Sequence, residues 1–153
     1  MNKIAAYIRV SKKELNVENQ RRAIIRYCQA QGWVVDYWFI DEGFSGATLE
    51  RPEFEKMMDR ASYRDFDKIL VYKFDRISRN MMDLLSVYRK IKEYHIDLLS
   101  VTEYVDTTNP YGKLLFYMIG AFAEFEREMT IMRTKEGLAR AKASGQKLGR
   151  RKI

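Results

Sequence analysis

The sequence predicts an α/β fold: a mostly parallel central sheet with helices on both faces, plus a long C-terminal oligomerisation helix. Three observations carry this. Short apolar or β-branched runs alternate with stretches of helical periodicity over the first hundred residues, the pattern of parallel strands joined by crossover helices. Beyond Gly112 only Gly120 and Gly137 oppose helix up to Ala143, and no proline interrupts. With 153 residues, 46% hydrophobic and 13% aromatic, the chain is long and apolar enough to bury a core as one domain.

Taken in order, Ile4-Ala5-Ala6-Tyr7-Ile8 is an apolar run that reads as the first strand. It stops at Ser11, where Lys12, Lys13 and Glu14 open a polar loop. Residues 17–31 read as a helix, with Ile24, Tyr27 and Cys28 at helical spacing and Gly32 at the C-terminal cap. Residues 33–40, rich in aromatic and β-branched side chains, read as the second strand. Residues 41–47 form a loop with two glycines. Pro52 opens the next helix, and Phe54, Met57, Met58 and Ala61 give it an apolar face. Residues 66–72 are the third strand. A helix follows to about Tyr94, with Met81, Leu84, Leu85, Tyr88 and Ile91 on one side. Residues 96–101 are the fourth strand, and 103–112 a loop whose turn formers are Asp106, Thr107, Thr108, Asn109 and Pro110. The last helix, about 112–143, is longer than the sheet needs. Its first half is apolar nearly all round, so it needs cover on more than one side; its own sheet covers one, and a second subunit is expected to cover the other. The division expected is 1–143 as one domain and 144–153 as a basic linker or tail.

Composition narrows the function. The formal charge is +7, and residues 133–153 carry eight basic side chains against Glu136 alone. A neutral body with a basic end suggests a polyanion contacted chiefly through Arg140, Lys142, Lys147, Arg150, Arg151 and Lys152. Cys28, the single cysteine, excludes an internal disulfide and reads as a packed thiol. The start has no signal-peptide shape. The longest apolar run is about ten residues, against the roughly 20 a spanning helix needs, so a cytoplasmic protein is expected.

Candidate reactive groups fall at strand ends or in the loops after them. The first strand offers Arg9 and Ser11, two residues apart and so on one side of a strand. Ser45 and Arg51 follow the second. Asp75, Arg76 and Arg79 follow the third. A hydroxyl at the carboxyl end of a central strand stands where open α/β sheets bind ligands. Arginines gathered beside one serine make a poor acyl-transfer site but a good phosphodiester site, because guanidinium forks match phosphate oxygens and stay charged. Phosphoryl transfer is largely positioning plus stabilisation of negative charge. No cofactor or metal is expected: the one histidine, His95, lies in a helix-to-strand turn, there is no Cys/His cluster, and there is no phosphate-binding loop for ATP.

Four segments resemble one family. Tyr7-Ile8-Arg9-Val10-Ser11, with Gln20 nine residues on, resembles the N-terminal signature of the serine recombinases, the resolvase/invertase family. So do Ser45-Gly46 ahead of Arg51-Pro52, Asp75-Arg76-Ile77-Ser78-Arg79, and Ala123-Glu124-Phe125-Glu126-Arg127-Glu128 with Arg133-Thr134. The resemblance spans essentially the whole chain, as that family's catalytic domain. The stretch around Gly43 to Pro52 looks most like the large serine integrases, and the Ser11-to-Gln20 spacing more like the small resolvases. It departs at Glu14-Leu15-Asn16, where members often carry a glutamine, and at Met129 and Met132, where small resolvases often carry charge.

The resemblance implies site-specific recombination of double-stranded DNA without ATP or metal. Ser11 would be the nucleophile, forming a phosphoserine linkage. Arg9, Arg76 and Arg79 would hold the scissile phosphate, and Asp75 would be an active-site carboxylate or a structural partner of Arg9 or Arg76. Gln20, Ser45, Arg51, Arg127 and Arg133 would support the site. A homodimer would bind DNA and a tetramer would exchange its ends. The alternative is a non-catalytic, DNA-associated oligomerisation module, which has no use for a serine among these arginines. A small α/β signalling domain leaves the arginines without a role.

Overall fold

The computed structural model describes residues 2–12, 16–44 and 50–149. Its elements are β1 (Ile4–Val10), α1 (Val17–Gln31), β2 (Tyr37–Glu42), α2 (Pro52–Ser62), β3 (Lys68–Val71), a short 3₁₀ turn (Phe74–Arg76), α3 (Met81–Glu93), β4 (Asp97–Ser100), β5 (Val105–Asp106) and α4 (Pro110–Ala143). The sheet order is β2-β1-β3-β4-β5. The first four strands are parallel, and β5 runs antiparallel to β4.

This order positions the candidate site residues. The chain leaves β1 in one direction to make β2, then returns past β1 to make β3. Right-handed crossovers therefore put α1 on one face and α2 on the other. All seven residues of β1 are buried. Ile4, Ala6, Ile8 and Val10 pack with Ile24 and Cys28 of α1 and with Leu70 and Leu99. Tyr7 faces the other way, edge-on to Phe54 of α2 at 5.5 Å between ring centroids. Between β1 and β3 the strand order reverses, which opens a crevice at their carboxyl ends. Ser11 follows β1 there, and residues 74–79 follow β3.

Several boundaries differ from expectation. Residues 33–36 are not strand: Trp33 donates its N–H to the Cys28 carbonyl and stacks obliquely on Tyr27, and Asp36 donates to the Ile4 carbonyl. β2 accordingly begins at Tyr37 and continues through Glu42. β3 and β4 are each shorter at both ends than the apolar runs suggest. The expected loop 103–112 contains β5 and the first turn of α4. Pro110 is therefore a first-turn helix residue rather than a turn former, with Asn109 Oδ1 accepting the Gly112 N–H at 2.8 Å.

The chain forms two compact units, residues 1–117 and 118–153. Pro110–Tyr117 of α4 belong to the first, where Phe116 is fully buried against Phe74 and Tyr88. In the second, Met118, Phe122 and Phe125 are each more than half exposed. No helix among the described residues is long and apolar enough to cross a membrane.

Candidate active site

The crevice between β1 and β3 is built of arginine. Arg9 and Arg51 are wholly buried, and Arg76 nearly so. Arg9 sits on β1 with Tyr7, facing α2. Its Nε donates to the Arg76 carbonyl at 3.1 Å, its Nη1 to the Phe44 carbonyl at 3.0 Å and its Nη2 to the backbone carbonyl of Asp75 at 3.0 Å. Arg51, the residue before α2, sends Nη1 to the same Arg76 carbonyl at 2.7 Å and Nη2 to the Ile77 carbonyl. Its guanidinium lies over the Phe54 ring at 4.6 Å. Arg76 in turn donates to the Arg9 carbonyl at 3.0 Å. Two buried cations thus grip one short backbone segment, and the gripped segment reaches back to β1.

The carboxylates are placed differently. Asp75 Oδ1 accepts from Arg76 Nε at 3.0 Å, so of its two expected structural pairings the one with Arg76 forms. Asp41, opposite Arg9 in the parallel register, accepts the N–H groups of Glu53 and Phe54 at 3.0 Å each. It thereby caps α2, whose own preceding residue supplies no side-chain cap. Tyr7 donates its hydroxyl to Asp41 Oδ2 at 2.9 Å and accepts from Arg51 Nη1 at 2.9 Å.

Electrostatics follow. Burial, and then the charges of Arg76 and Arg51, hold Arg9 below the usual guanidinium range. Burial does the same to Arg51, with Tyr7 and Asp41 opposing it. Burial pushes the Tyr7 hydroxyl far above the usual phenol range, so it stays protonated. Arginine remains charged even so, and the crevice is a concentration of positive charge whose nearest donors are fixed by main-chain carbonyls.

The remaining candidates fall as follows. Ser11 is partly exposed just past β1. Gln20, on α1, is buried and donates to the Arg9 carbonyl at 2.9 Å. Arg79 is exposed and close enough to depress Arg9. Ser45 and the tail residues Arg150, Arg151 and Lys152 lie outside the described residues. Arg127, Arg133, Arg140, Lys142 and Lys147 are exposed in the second unit. Among the described residues no group of three His, Cys, Asp or Glu is arranged to hold a metal ion.

The family described as the resolvase N-terminal domain matches residues 4–147. This chain belongs to the serine recombinase family. It is 37% identical to a transposon Tn2501 resolvase of Escherichia coli over 155 aligned positions, 98% of this chain and 76% of the relative. It is 34% identical to a DNA-invertase of Escherichia phage P1, over 97% of this chain and 75% of the relative. The N-terminal catalytic domain of TP901-1 integrase superposes with a TM-score of 0.73 at 38% identity, covering 83% of this chain and 98% of that one.

Two polar residues of the recombinase crevice escape sequence reasoning: Tyr7 and Asp41. Tyr7 reads as one more apolar residue of a buried strand, although it shares the strand side of Arg9. Asp41 reads as the start of a loop, although it is the first carboxylate after the apolar part of β2. A buried tyrosine two residues before a buried arginine was the available signal, since its hydroxyl needs a partner.

Proposed function

We propose that this chain is the catalytic domain of a site-specific DNA recombinase that cleaves and rejoins DNA through a covalent 5′-phosphoserine on Ser11. The observation that carries this reading is a serine at the carboxyl end of β1, in the switch-point crevice that Arg9, Arg51, Arg76 and Arg79 make cationic. The Ser11 oxygen attacks a backbone phosphorus, the bond from phosphorus to the 3′-oxygen breaks, the serine loses its proton and the 3′-oxygen gains one. The ester keeps the energy of the broken bond, so the reverse attack by a 3′-hydroxyl reseals DNA without ATP.

Arg79 and Arg76 face the phosphate, and Asp75 orients Arg76 through its Nε. Arg9 is bound to three carbonyls in this arrangement and adds charge from behind. Guanidinium groups supply the stabilisation, so no step runs through a metal. Double-stranded DNA in the cytoplasm is the substrate. Residues 1–143 act as the catalytic domain, with 144–153 and the neighbouring Arg140 and Lys142 lying along phosphates. Met118, Phe122 and Phe125 are the surface by which two copies form a dimer and then a tetramer.

The test is covalent trapping. The chain is fused to a DNA-reading domain of known specificity and given nicked duplexes with a randomised centre between two of that domain's sites. A denaturation-resistant protein–DNA adduct is expected from the parent, undiminished in chelator, and none from Ser11→Ala. Arg79→Ala should slow adduct formation by about 10²–10³, the usual scale for losing one such donor. An adduct from Ser11→Ala, or loss of the parent's adduct in chelator, contradicts the mechanism.

A further inference from the structure

We propose that the open edge of the sheet is a self-association surface, at which two copies of this chain pair β2 against β2, antiparallel, about a two-fold axis at Ile40. The inference is independent of the recombinase reading. The residues that carry it belong neither to the arginine crevice nor to the exposed apolar surface of residues 118–125.

The two edges of the sheet are unlike. β5 is two residues long, too short to template another strand. β2 is six residues long, Tyr37–Glu42, and has no lysine or proline to blunt it. The Gly43 N–H donates to the Val10 carbonyl at 2.7 Å, and Val10 stands opposite Glu42 in the register. By the alternation of a parallel ladder, residues 37, 39, 41 and 43 turn their backbone groups toward β1. Trp38, Ile40 and Glu42 therefore turn theirs outward, away from the sheet. Burial agrees: Phe39 and Asp41 are buried, Trp38 and Ile40 are half-buried, and Glu42 is exposed.

The side chains of these three residues share the face that carries α1. Trp38 and Ile40 pack at the margin of the core that includes Ile24 and Cys28 of that helix. Arg21, also on α1, lies over the Trp38 ring at 5.1 Å and turns its Nε to Glu18 at 3.5 Å. Among the described residues no cation pairs with Glu42. A two-fold axis at Ile40 sets outward groups against outward groups. Ile40 meets its own copy and Trp38 meets the partner's Glu42, each pair exchanging both N–H···O bonds. Glu42 then arrives beside the Arg21 that covers the opposite Trp38, once on each side of the axis, and such cross-strand opposite charges are favourable. Trp38 and Ile40 of the two copies close on one another between the two α1 helices. Moving the axis to Phe39 also matches outward groups, but it sets Glu42 opposite Asp36, carboxylate against carboxylate. Charge thus selects both the occupant and the register: the edge is complementary to itself.

The experiment uses the full chain carrying Phe122→Glu, a change at an exposed position that disables the apolar surface of residues 118–125. Amide hydrogen exchange is followed by NMR from dilute to concentrated protein. The amides of Trp38, Ile40 and Glu42 should exchange fast when dilute and about tenfold or more slowly when concentrated, while those of Tyr37, Phe39 and Asp41 stay protected throughout. Sedimentation then reads the charges. Glu42→Arg sets a cation against Arg21, and Arg21→Glu sets an anion against Glu42, so each alone should weaken association by about tenfold or more. Mixed in equal amounts, the two variants should associate as the parent does, because both contacts of the mixed pair then join opposite charges. Glu55→Arg, exposed on α2, should match the parent. Edge amides that exchange alike at every concentration, single variants that associate as the parent does, or a mixture no stronger than its components overturns the inference. The exchange measurement needs no change at the edge, so it decides even if Arg21→Glu does not fold.

Discussion

At the amino end of the sheet, Lys92 reaches Asp97 at 2.6 Å and Lys68 reaches it at 3.9 Å. The backbone N–H groups of Lys3 and Ile4 donate to Asp67 and Asp36. At the carboxyl end, Arg9 and Arg51 are more deeply buried, yet their nearest partners are carbonyl oxygens. Carboxylates cancel a cation's charge, whereas carbonyl dipoles solvate it and leave the field in place. The cations at the amino end are paired to carboxylate, whereas at the carboxyl end Arg76 is paired with Asp75 at 3.0 Å while Arg9 and Arg51 rest chiefly on carbonyls. The choice of the carboxyl end as the proposed site rests on partner chemistry as much as on topology.

The sharpest way to break this comparison is to remove one cation from each end. Arg51→Met deserts the Tyr7 hydroxyl and the carbonyls of Arg76 and Ile77, and should cost about 3–5 kcal/mol in urea unfolding, the scale for removing one partner from a buried charged network. Lys92→Ala removes a partly exposed pair and should cost no more than about 1 kcal/mol. Equal losses would mean the two ends are held alike.

Between these in size is a titration. Cys28, on the α1 face, is buried, and burial pushes its thiol from 9.0 up to about 11. Unfolded chains lose this proton near pH 9 and folded ones near 11. The unfolded state therefore binds fewer protons in that window, and stability should fall as pH rises through it, by roughly 2–3 kcal/mol. Below pH 9 the group contributes no slope. Cys28→Ala should flatten the stability curve between pH 9 and 11 and leave the rest of it parallel, as read from denaturant midpoints across pH.

Much of this was legible in sequence where local chemistry decides. The bounds of α1 follow from Asn16, whose side chain accepts the Asn19 N–H, and from Gly32, which takes a left-handed conformation at φ 71°. The alternation of elements predicts the parallel sheet that forms, and places Arg9 within reach of Arg76 and Arg79. What stayed hidden depends on tertiary partners. Trp33, Val34 and Val35 have strand propensity, but Trp33 packs on Tyr27 instead of joining the ladder. Thr107 reads as a turn residue, yet its hydroxyl donates to the Leu98 carbonyl and accepts the Leu98 N–H, finishing the edge of β4. In sequence the crevice reads as guanidinium groups turned toward phosphate. That Arg9 and Arg51 spend their donors on residues 44 and 75–77 could not be read, because no sequence pattern reveals which backbone carbonyls a fold leaves unpaired.

The central claim is that the cation-rich end of the sheet holds the nucleophile, and mapping the attachment point tests it most directly. The trapped protein–DNA adduct would be digested with protease and nuclease, and the peptide carrying the nucleotide remnant sequenced by mass spectrometry. The account predicts one modified residue, Ser11, bearing the 5′-phosphate of the cleaved strand, with a free 3′-hydroxyl on the other end. Attachment at any other side chain, or through a 3′-phosphate, would contradict it.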